Sequence, residues 1–359
     1  MHCPTLEELP TPSSGKVGWP WTQGSTALPE VMPDGRPWPR ITVITPSYNQ
    51  GQYIEETIRS VLLQGYPNYE YLVIDGGSSD GSQEVIAKYA RWLSYWVSEP
   101  DRGQANAINK GLAHIQGNIW NWLNSDDVLN PDAFQFIGKA HSENPQALIV
   151  GDVEEFWDSS VRRTVFKQEG IDFKNMVEFW YGRAHWYQPG IFSPVSFISK
   201  LGILDEDLEY ALDYDFFCRI TSVGKPVYLD RILARARLHQ CSKTITYGHM
   251  FALQNVKVSS RYWCMIPDID VPDYVQSYAA FLFRQGCRWL FLERRVEGIG
   301  SIKEALRADC LGAIISNLKS GPAFALRRLS KILKGWINRI GKRLSVDTKN
   351  RFGGGLWMS

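Results

Sequence analysis

Residues 41–75 read ITVITPSYNQGQYIEETIRSVLLQGYPNYEYLVID, and their pattern decides the fold. Ile41–Thr45 is a β-branched run without polar alternation, as in a strand covered on both faces. Tyr53–Gln64 then sets Ile54, Ile58, Val61 and Leu62 on one helical face. Tyr69–Asp75 is a second apolar strand. Strand, helix and strand in such close succession make a parallel pair joined by a helical crossover.

The same alternation runs outward from this unit. Ser82–Tyr89 reads as a helix, Tyr95–Ser98 as a short strand and Ile119–Leu123 as another. Between them Gln104–Ile115 sets Ala105, Ile108, Leu112 and Ile115 on one stripe. The expected fold is α/β, a mostly parallel twisted sheet with flanking helices. Past residue 145 the regularity loosens: Ala147–Val150 and Val161–Phe166 read as strands, and 171–200 is rich in aromatics, including Trp180, Trp186 and Tyr187. Beyond about residue 250 the pattern is mostly helical. Residues 1–39 are dense in proline and glycine, an extended arm; Trp19, Trp21 and Trp38 suit an arm that lies against the domain.

The 359 residues are 44% apolar and 21% charged, ordinary for a folded chain, and the net charge of +1 argues against a nucleic-acid partner. Six cysteines without a C-x-x-C pair, no charged-then-apolar leader and no apolar run of about 18 residues point to the cytoplasm.

Ligands of such sheets bind beyond the carboxyl ends of the strands, and the polar motifs cluster there. The first strand runs into Thr45-Pro46-Ser47-Tyr48-Asn49, with too few glycines for a dinucleotide fingerprint. Its flat ring and short polar groups suit either a nucleoside or an ordinary polar turn. Asp75 ends the second strand, and a carboxylate there can accept the ring N–H of uracil, thymine or guanine. Gly76 and Gly77 let backbone come close to a ligand. Glu99–Lys110 opens a helix near Gly103, where free amides, Arg102, Gln104, Asn106 and Asn109 gather at an end that favours anions. Asp126 and Asp127 follow the fourth strand; paired carboxylates there are either a solvated turn or hard ligands for Mg²⁺ or Mn²⁺.

Together, TPSYNQGQYIEETIRSVLLQGYPNYEYLVIDGGSSDGS (45–82), SEPDRGQANAINKG (98–111), WLNSDDVLNPDA (122–133) and ALDYDFFCRI (211–220) resemble the family 2 glycosyltransferases of GT-A fold. The resemblance implies an inverting, non-processive transferase moving a sugar from a nucleotide-diphosphate donor to a glycan or lipid-linked acceptor. It implies that Thr45, Pro46, Ser47, Tyr48, Asp75, Gly76, Arg102, Gln104, Asn109 and Asp126 bind the nucleotide sugar. Asp126 and Asp127 would hold Mn²⁺ or Mg²⁺, Asp127 more directly, with His239 as a further ligand or a structural histidine. Asn124 stands where many members carry an aspartate. Asp213 matches the general base, with Asp215 as the second candidate, and Leu212 replaces the glutamate that usually precedes it. The same reading divides the chain into the arm 1–39, a catalytic domain 40–245 (nucleotide-binding half 40–130, acceptor half 131–245) and a helical C-terminal region 246–359. The alternatives are a sugar-nucleotide pyrophosphorylase, whose early glycine-rich loop this chain lacks, and a non-catalytic nucleotide-sugar-binding protein.

From Leu326 to Leu344 a leucine, isoleucine and tryptophan stripe runs beside seven cations and no acid. Such a segment either rests on anionic membrane as an interfacial helix or packs its stripe on the protein.

Overall fold

The computed structural model describes residues 3–305 except 159–162, 241, 268 and 292–299. The basic segment 326–344 lies outside the described residues. Two compact units are present, Met1–Pro267 and Asp268–Ser359.

In the first unit the strands are β1 (Ile41–Ser47), β2 (Tyr69–Asp75), β3 (Tyr95–Ser98), β4 (Ile119–Trp122), β5 (Val128–Leu129), β6 (Leu148–Phe156), β7 (Arg163–Phe166), β8 (Ile191–Pro194) and β9 (Pro226–Arg237). The helices are α1 (Ile54–Leu62), α2 (Ser82–Tyr89), α3 (Gln104–Leu112), α4 (Ala133–Glu143), α5 (Phe173–Val177), α6 (Ser196–Leu201), α7 (Leu212–Thr221) and α8 (Lys243–Tyr262). The second unit contains α9 (Val271–Phe291), which buries Tyr274, Ala279, Ala280, Leu282 and Phe283, and Ser301 donates to the Leu282 carbonyl at 2.7 Å. Among the described residues no helix is long and apolar enough to cross a membrane.

The sheet runs β3-β2-β1-β4-β8-β6-β9-β5, with β7 on the side of β6. Its first four strands are parallel. Every residue of β1 and β2 is buried, which is why their sequences lack alternation. The second half is mixed rather than parallel. Strand β8 runs antiparallel to both β4 and β6, β9 is parallel to β6, and β5 is antiparallel to β9. Strand β6 pairs with β8 at its start and β7 at its end, and its ladder with β9 is irregular at Gly151–Val153.

The arm is bound along the flank of this sheet. Backbone hydrogen bonds join Cys3 to Tyr66, Ser25 to Leu63 and Leu28 to Gly65 at 2.8–2.9 Å. The Trp19 indole donates to the Leu129 carbonyl at 2.8 Å, and Trp21 and Trp38 are buried. Its anchor is Arg59 of α1, fully buried, whose guanidinium donates to the carbonyls of Pro10 (2.8 Å), Pro20 (3.0 Å) and Trp21 (3.0 Å). An extended segment with few internal hydrogen bonds thus finds acceptors and donors on the domain, as buried backbone requires.

Helix α4 crosses this region closely. A Cβ on Gly138 would overlap the hydroxyl of Tyr66, which donates to the Pro39 carbonyl at 2.8 Å, and would stand 2.9 Å from its ring. Gly138→Ala should therefore lower stability by about 1–3 kcal/mol, because neither ring nor helix can retreat in a packed core. Urea unfolding measures this, and an unchanged midpoint would show that the contact relaxes freely.

Candidate functional site

Strands β1, β2 and β4 are parallel, so their carboxyl ends open on one edge, where Ser47 stands opposite Asp75 and Asp75 opposite Ser98. Thr45 points into the core, fully buried, its hydroxyl 3.0 Å from that of Tyr71. Pro46 is buried, as is Ser47, whose hydroxyl has no hydrogen-bond partner among the described residues. Tyr48 then turns outward and is 62% exposed. Asn49 adopts a left-handed conformation and braces the neighbouring loop, accepting from Ser79 N (3.0 Å) while its own amide donates to Ser78 Oγ (2.7 Å). A Cβ on Gly76 would lie 2.6 Å from Asp101 and 3.3 Å from Tyr48, so glycine lets these groups close over the edge.

Asp75 is fully buried and already engaged. Its Oδ2 accepts from Gly77 N (3.2 Å), Ser78 N (2.9 Å) and Ser98 Oγ (2.6 Å), while among the described residues Oδ1 accepts from Ser78 Oγ alone (2.5 Å). Whatever else Asp75 does, it shapes the loop 76–79, and Oδ1 is its remaining acceptor.

The acidic pair follows β4. Asp127 is 5% exposed; its Oδ1 accepts from the Arg237 amide and its Oδ2 from the Asn124 side chain, both at 3.1 Å. Burial, and then the charge of Asp126, push its carboxyl well above the ordinary range. Asp126 reaches the other way, its Oδ2 3.0 Å from His239 Nε2. Arg237 ties the pair to the rest of the edge: it donates to the Asp126 carbonyl (3.0 Å), Glu56 (2.7 Å) and Asp158, and lies over the Tyr53 and Phe156 rings. Gln104 of α3 donates to Asn124 Oδ1 at 2.7 Å, linking the helix start to the acids.

Among the described residues no three Asp, Glu, His or Cys side chains form a ready cation cage. The donor chemistry nevertheless fits a hard divalent ion. Asp126 and His239 already face one another, and Asp127 carries a raised pKa that a nearby cation would relieve. An Mg²⁺-like ion typically takes only one or two carboxylates and fills its other positions with water and phosphate oxygens. Asp126 rather than Asp127 is the residue that meets His239.

At the start of α7 the two candidate bases part company. Asp215 is 1% exposed and accepts from Arg219 (2.9 Å), Arg261 (3.1 Å) and Tyr262 (2.7 Å), a buried structural network. Asp213 is half-buried, accepts from the Tyr214 amide (2.7 Å), and pairs with no cation among the described residues. Desolvation raises its pKa to about 6. Next to it Tyr214 is stacked by Trp186 at 5.4 Å, with Phe179 at its edge. Of the aromatic segment, Phe192 and Phe197 are core, whereas Phe179, Trp180, Trp186 and Tyr187 are half-buried.

Arg102 is 78% exposed and one of its amino groups is held by Glu206 at 2.5 Å. Asn109 is 8% exposed and bonded to Glu206 and to the Leu204 backbone, so it is not open to a ligand. Two groups escaped sequence reasoning, Glu206 and Arg237, while Tyr187 of the aromatic segment donates its hydroxyl to Glu155 at 2.7 Å and feels the charges of Asp126 and Asp127. Arg237, two positions before His239, had a usable signal, a cation beside a candidate ligand. Glu206 had none, since its partners are distant in sequence.

The family model for Glycosyl transferase family 2 matches residues 42–196, which spans β1 through the acidic pair to the start of α6. An uncharacterized glycosyltransferase of Mycobacterium tuberculosis is 31% identical over 203 residues, 54% of this chain and 74% of the relative. Among solved structures, S. aureus TarS 1-349 in complex with UDP-GlcNAc shares the fold at a TM-score of 0.58 and 17% identity, covering 75% of this chain and 81% of TarS. The mannosyltransferase PcManGT from Pyrobaculum calidifontis, in complex with GDP-Man and Mn²⁺, does so at a TM-score of 0.51 and 16% identity, covering 89% and 92% of the two chains. The α/β fold is therefore of the GT-A type, and the chain belongs to glycosyl transferase family 2.

Proposed function

We propose that the protein moves a sugar from a nucleotide-diphosphate donor onto an acceptor hydroxyl, with inversion, in the synthesis of a glycan. The observation that carries this reading is the meeting of Asp126 and His239, with buried Asp127 behind them, on the edge that also bears Tyr48, Ser47 and Asp75. The complexes of TarS with UDP-GlcNAc and PcManGT with GDP-Man and Mn²⁺ support the class of donor and cofactor.

In this reading the exposed Tyr48 ring packs on the base, the Ser47 hydroxyl, without a partner among the described residues, bonds the nucleoside, and Asp75 Oδ1 accepts a ring N–H. Asp126, His239 and Asp127 would hold Mn²⁺ or Mg²⁺, which would supply positive charge beside the diphosphate leaving group. Arg102 commits one amino group to Glu206 and, largely exposed, keeps its other N–H groups for phosphate oxygens. Asp213, with its pKa near 6, takes the proton of the acceptor hydroxyl as that oxygen attacks C1 from the face opposite the diphosphate. Trp186, stacked on the tyrosine next to that base, offers a flat face to the acceptor. A cytoplasmic chain meeting a glycan or lipid-linked acceptor completes the proposal.

Thermal protection tests the donor half without an acceptor. With Mn²⁺, the diphosphates of uridine, thymidine or guanosine should raise the melting temperature, and those of adenosine and cytidine should do so poorly. EDTA should remove the protection, and Asp126→Ala should lack it. Equal protection by ADP would exclude base reading by Asp75; protection indifferent to EDTA would exclude the metal.

A further inference from the structure

We infer that Glu206 is a positioning residue that fastens the loop carrying the base to the donor edge; this rests on the assignment of Asp213 above. Residues 202–211 lead from α6 into α7, at whose first turn Asp213 stands. Within that loop Glu206 reaches across to α3. Its Oε1 and Oε2 each lie 3.0 Å from Asn106 Nδ2, Oε1 accepts from Asn109 Nδ2 at 3.0 Å, and Oε2 accepts from Arg102 at 2.5 Å. Asn109 also grips the loop backbone, donating to the Leu204 carbonyl and accepting from the Leu204 amide, both at 3.0 Å.

These donors hold the Glu206 pKa down at about 2, so it is an anion throughout the working range. A carboxylate has roughly four acceptor positions, and here four contacts with protein donors occupy them, which suits a strut better than a substrate ligand. The same helix is tied to the acidic motif at its other side, through Gln104, Asn124 and Asp127. Helix α3 therefore links two halves of the site that are far apart in sequence, the acids after β4 and the base at the start of α7. Without Glu206 the loop keeps the Leu204–Asn109 pair and the Tyr210 and Ala211 amides on Gln254. That is enough to fold but leaves Asp213 less well aimed, and misplacement by about 1 Å can lower a rate roughly 10²-fold.

The test uses the full-length chain with Glu206→Ala, Glu206→Gln, Asp213→Asn and the double variant Glu206→Ala/Asp213→Asn. Glu206→Ala should lower kcat about 10²-fold, with uridine or guanosine diphosphate affinity unchanged within about twofold. Glu206→Gln, whose amide oxygen still accepts from the asparagines, should recover most of the loss. Because Glu206 acts through Asp213, the double variant should be no slower than Asp213→Asn alone beyond about twofold. Losses that multiply, or tighter nucleotide binding in Glu206→Gln, would overturn the inference; the latter would mark Glu206 as a stand-in for the diphosphate. Hydrogen exchange gives a reading that needs no turnover: amides 203–215 should exchange faster in Glu206→Ala while β1–β4 do not change. Unchanged exchange over 203–215 would overturn the strut, whereas a wild-type chain that turns over no donor would instead count against the proposed function.

Discussion

Asp213→Asn is expected to leave donor affinity intact and to lower turnover by about 10²–10⁴. The amide keeps the shape of the carboxylate and its bond from the Tyr214 amide, but it cannot take a proton. The pH profile sharpens the expectation. Desolvation raises the Asp213 pKa to about 6, and only the deprotonated form is a base, so kcat/KM should rise with pH through about 6 and then level. Below that value the protonated group is inert. The variant should lack this limb and keep only a slow, flat rate. Asp215→Asn should behave differently, because it breaks a buried network with Arg219, Arg261 and Tyr262 and should appear first as lost stability. A catalytic loss with normal stability in Asp215→Asn, and none in Asp213→Asn, would exchange the two roles.

Arg59→Ala should be the most damaging substitution away from the site. The guanidinium is fully buried and bonds three carbonyls of the arm and the Tyr89 hydroxyl, which in turn donates to Glu55. Truncation leaves those carbonyls without donors, at about 1–3 kcal/mol each. Removing a buried cation recovers part of its desolvation cost, so a net loss of about 3–5 kcal/mol is expected. Arg59→Lys should recover little, since an ammonium cannot present the planar fork that spans Pro10, Pro20 and Trp21. Denaturant unfolding with limited proteolysis of residues 1–39 measures both effects. A wild-type midpoint with a protected arm would show that the tryptophans, not Arg59, hold it.

The first half of the fold was legible because parallel strands buried on both faces leave continuous apolar runs. The reading of β2 as Tyr69–Asp75 and α2 as Ser82–Tyr89 matches the structure residue for residue. Helix α3 ends at Leu112 rather than Ile115. The second half was legible only in part: the run Ala147–Val150 marks the start of β6 and Val161–Phe166 contains β7, while the rest was hidden for a physical reason. Strand β5 has two residues, too short for any period to show, and the four residues of β8 end on Pro194, which reads as a turn. Strand β9 carries Asp230, Arg231, Arg235 and Arg237 along a run of mixed burial, and a charged strand of that kind resembles loop. Arg235 and Arg237 are tolerated because Glu56 and Asp158 arrive from elsewhere in the chain. The site shows the same division. Asp126, Asp127 and Asp213 stand in short local patterns, whereas Glu206 acquires meaning only once α3 lies beside it.

The measurement that bears most directly on the proposed transfer is release of free nucleoside diphosphate. Wild type, Asp126→Ala and Asp213→Asn would each be incubated with Mn²⁺ and a panel of uridine-, thymidine- and guanosine-diphosphate sugars, with and without glycan acceptors. Wild type should release diphosphate from at least one donor, faster when an acceptor is present. EDTA and Asp126→Ala should abolish that release, and Asp213→Asn should remove its dependence on acceptor. Release from Asp126→Ala in EDTA at the wild-type rate would contradict the account.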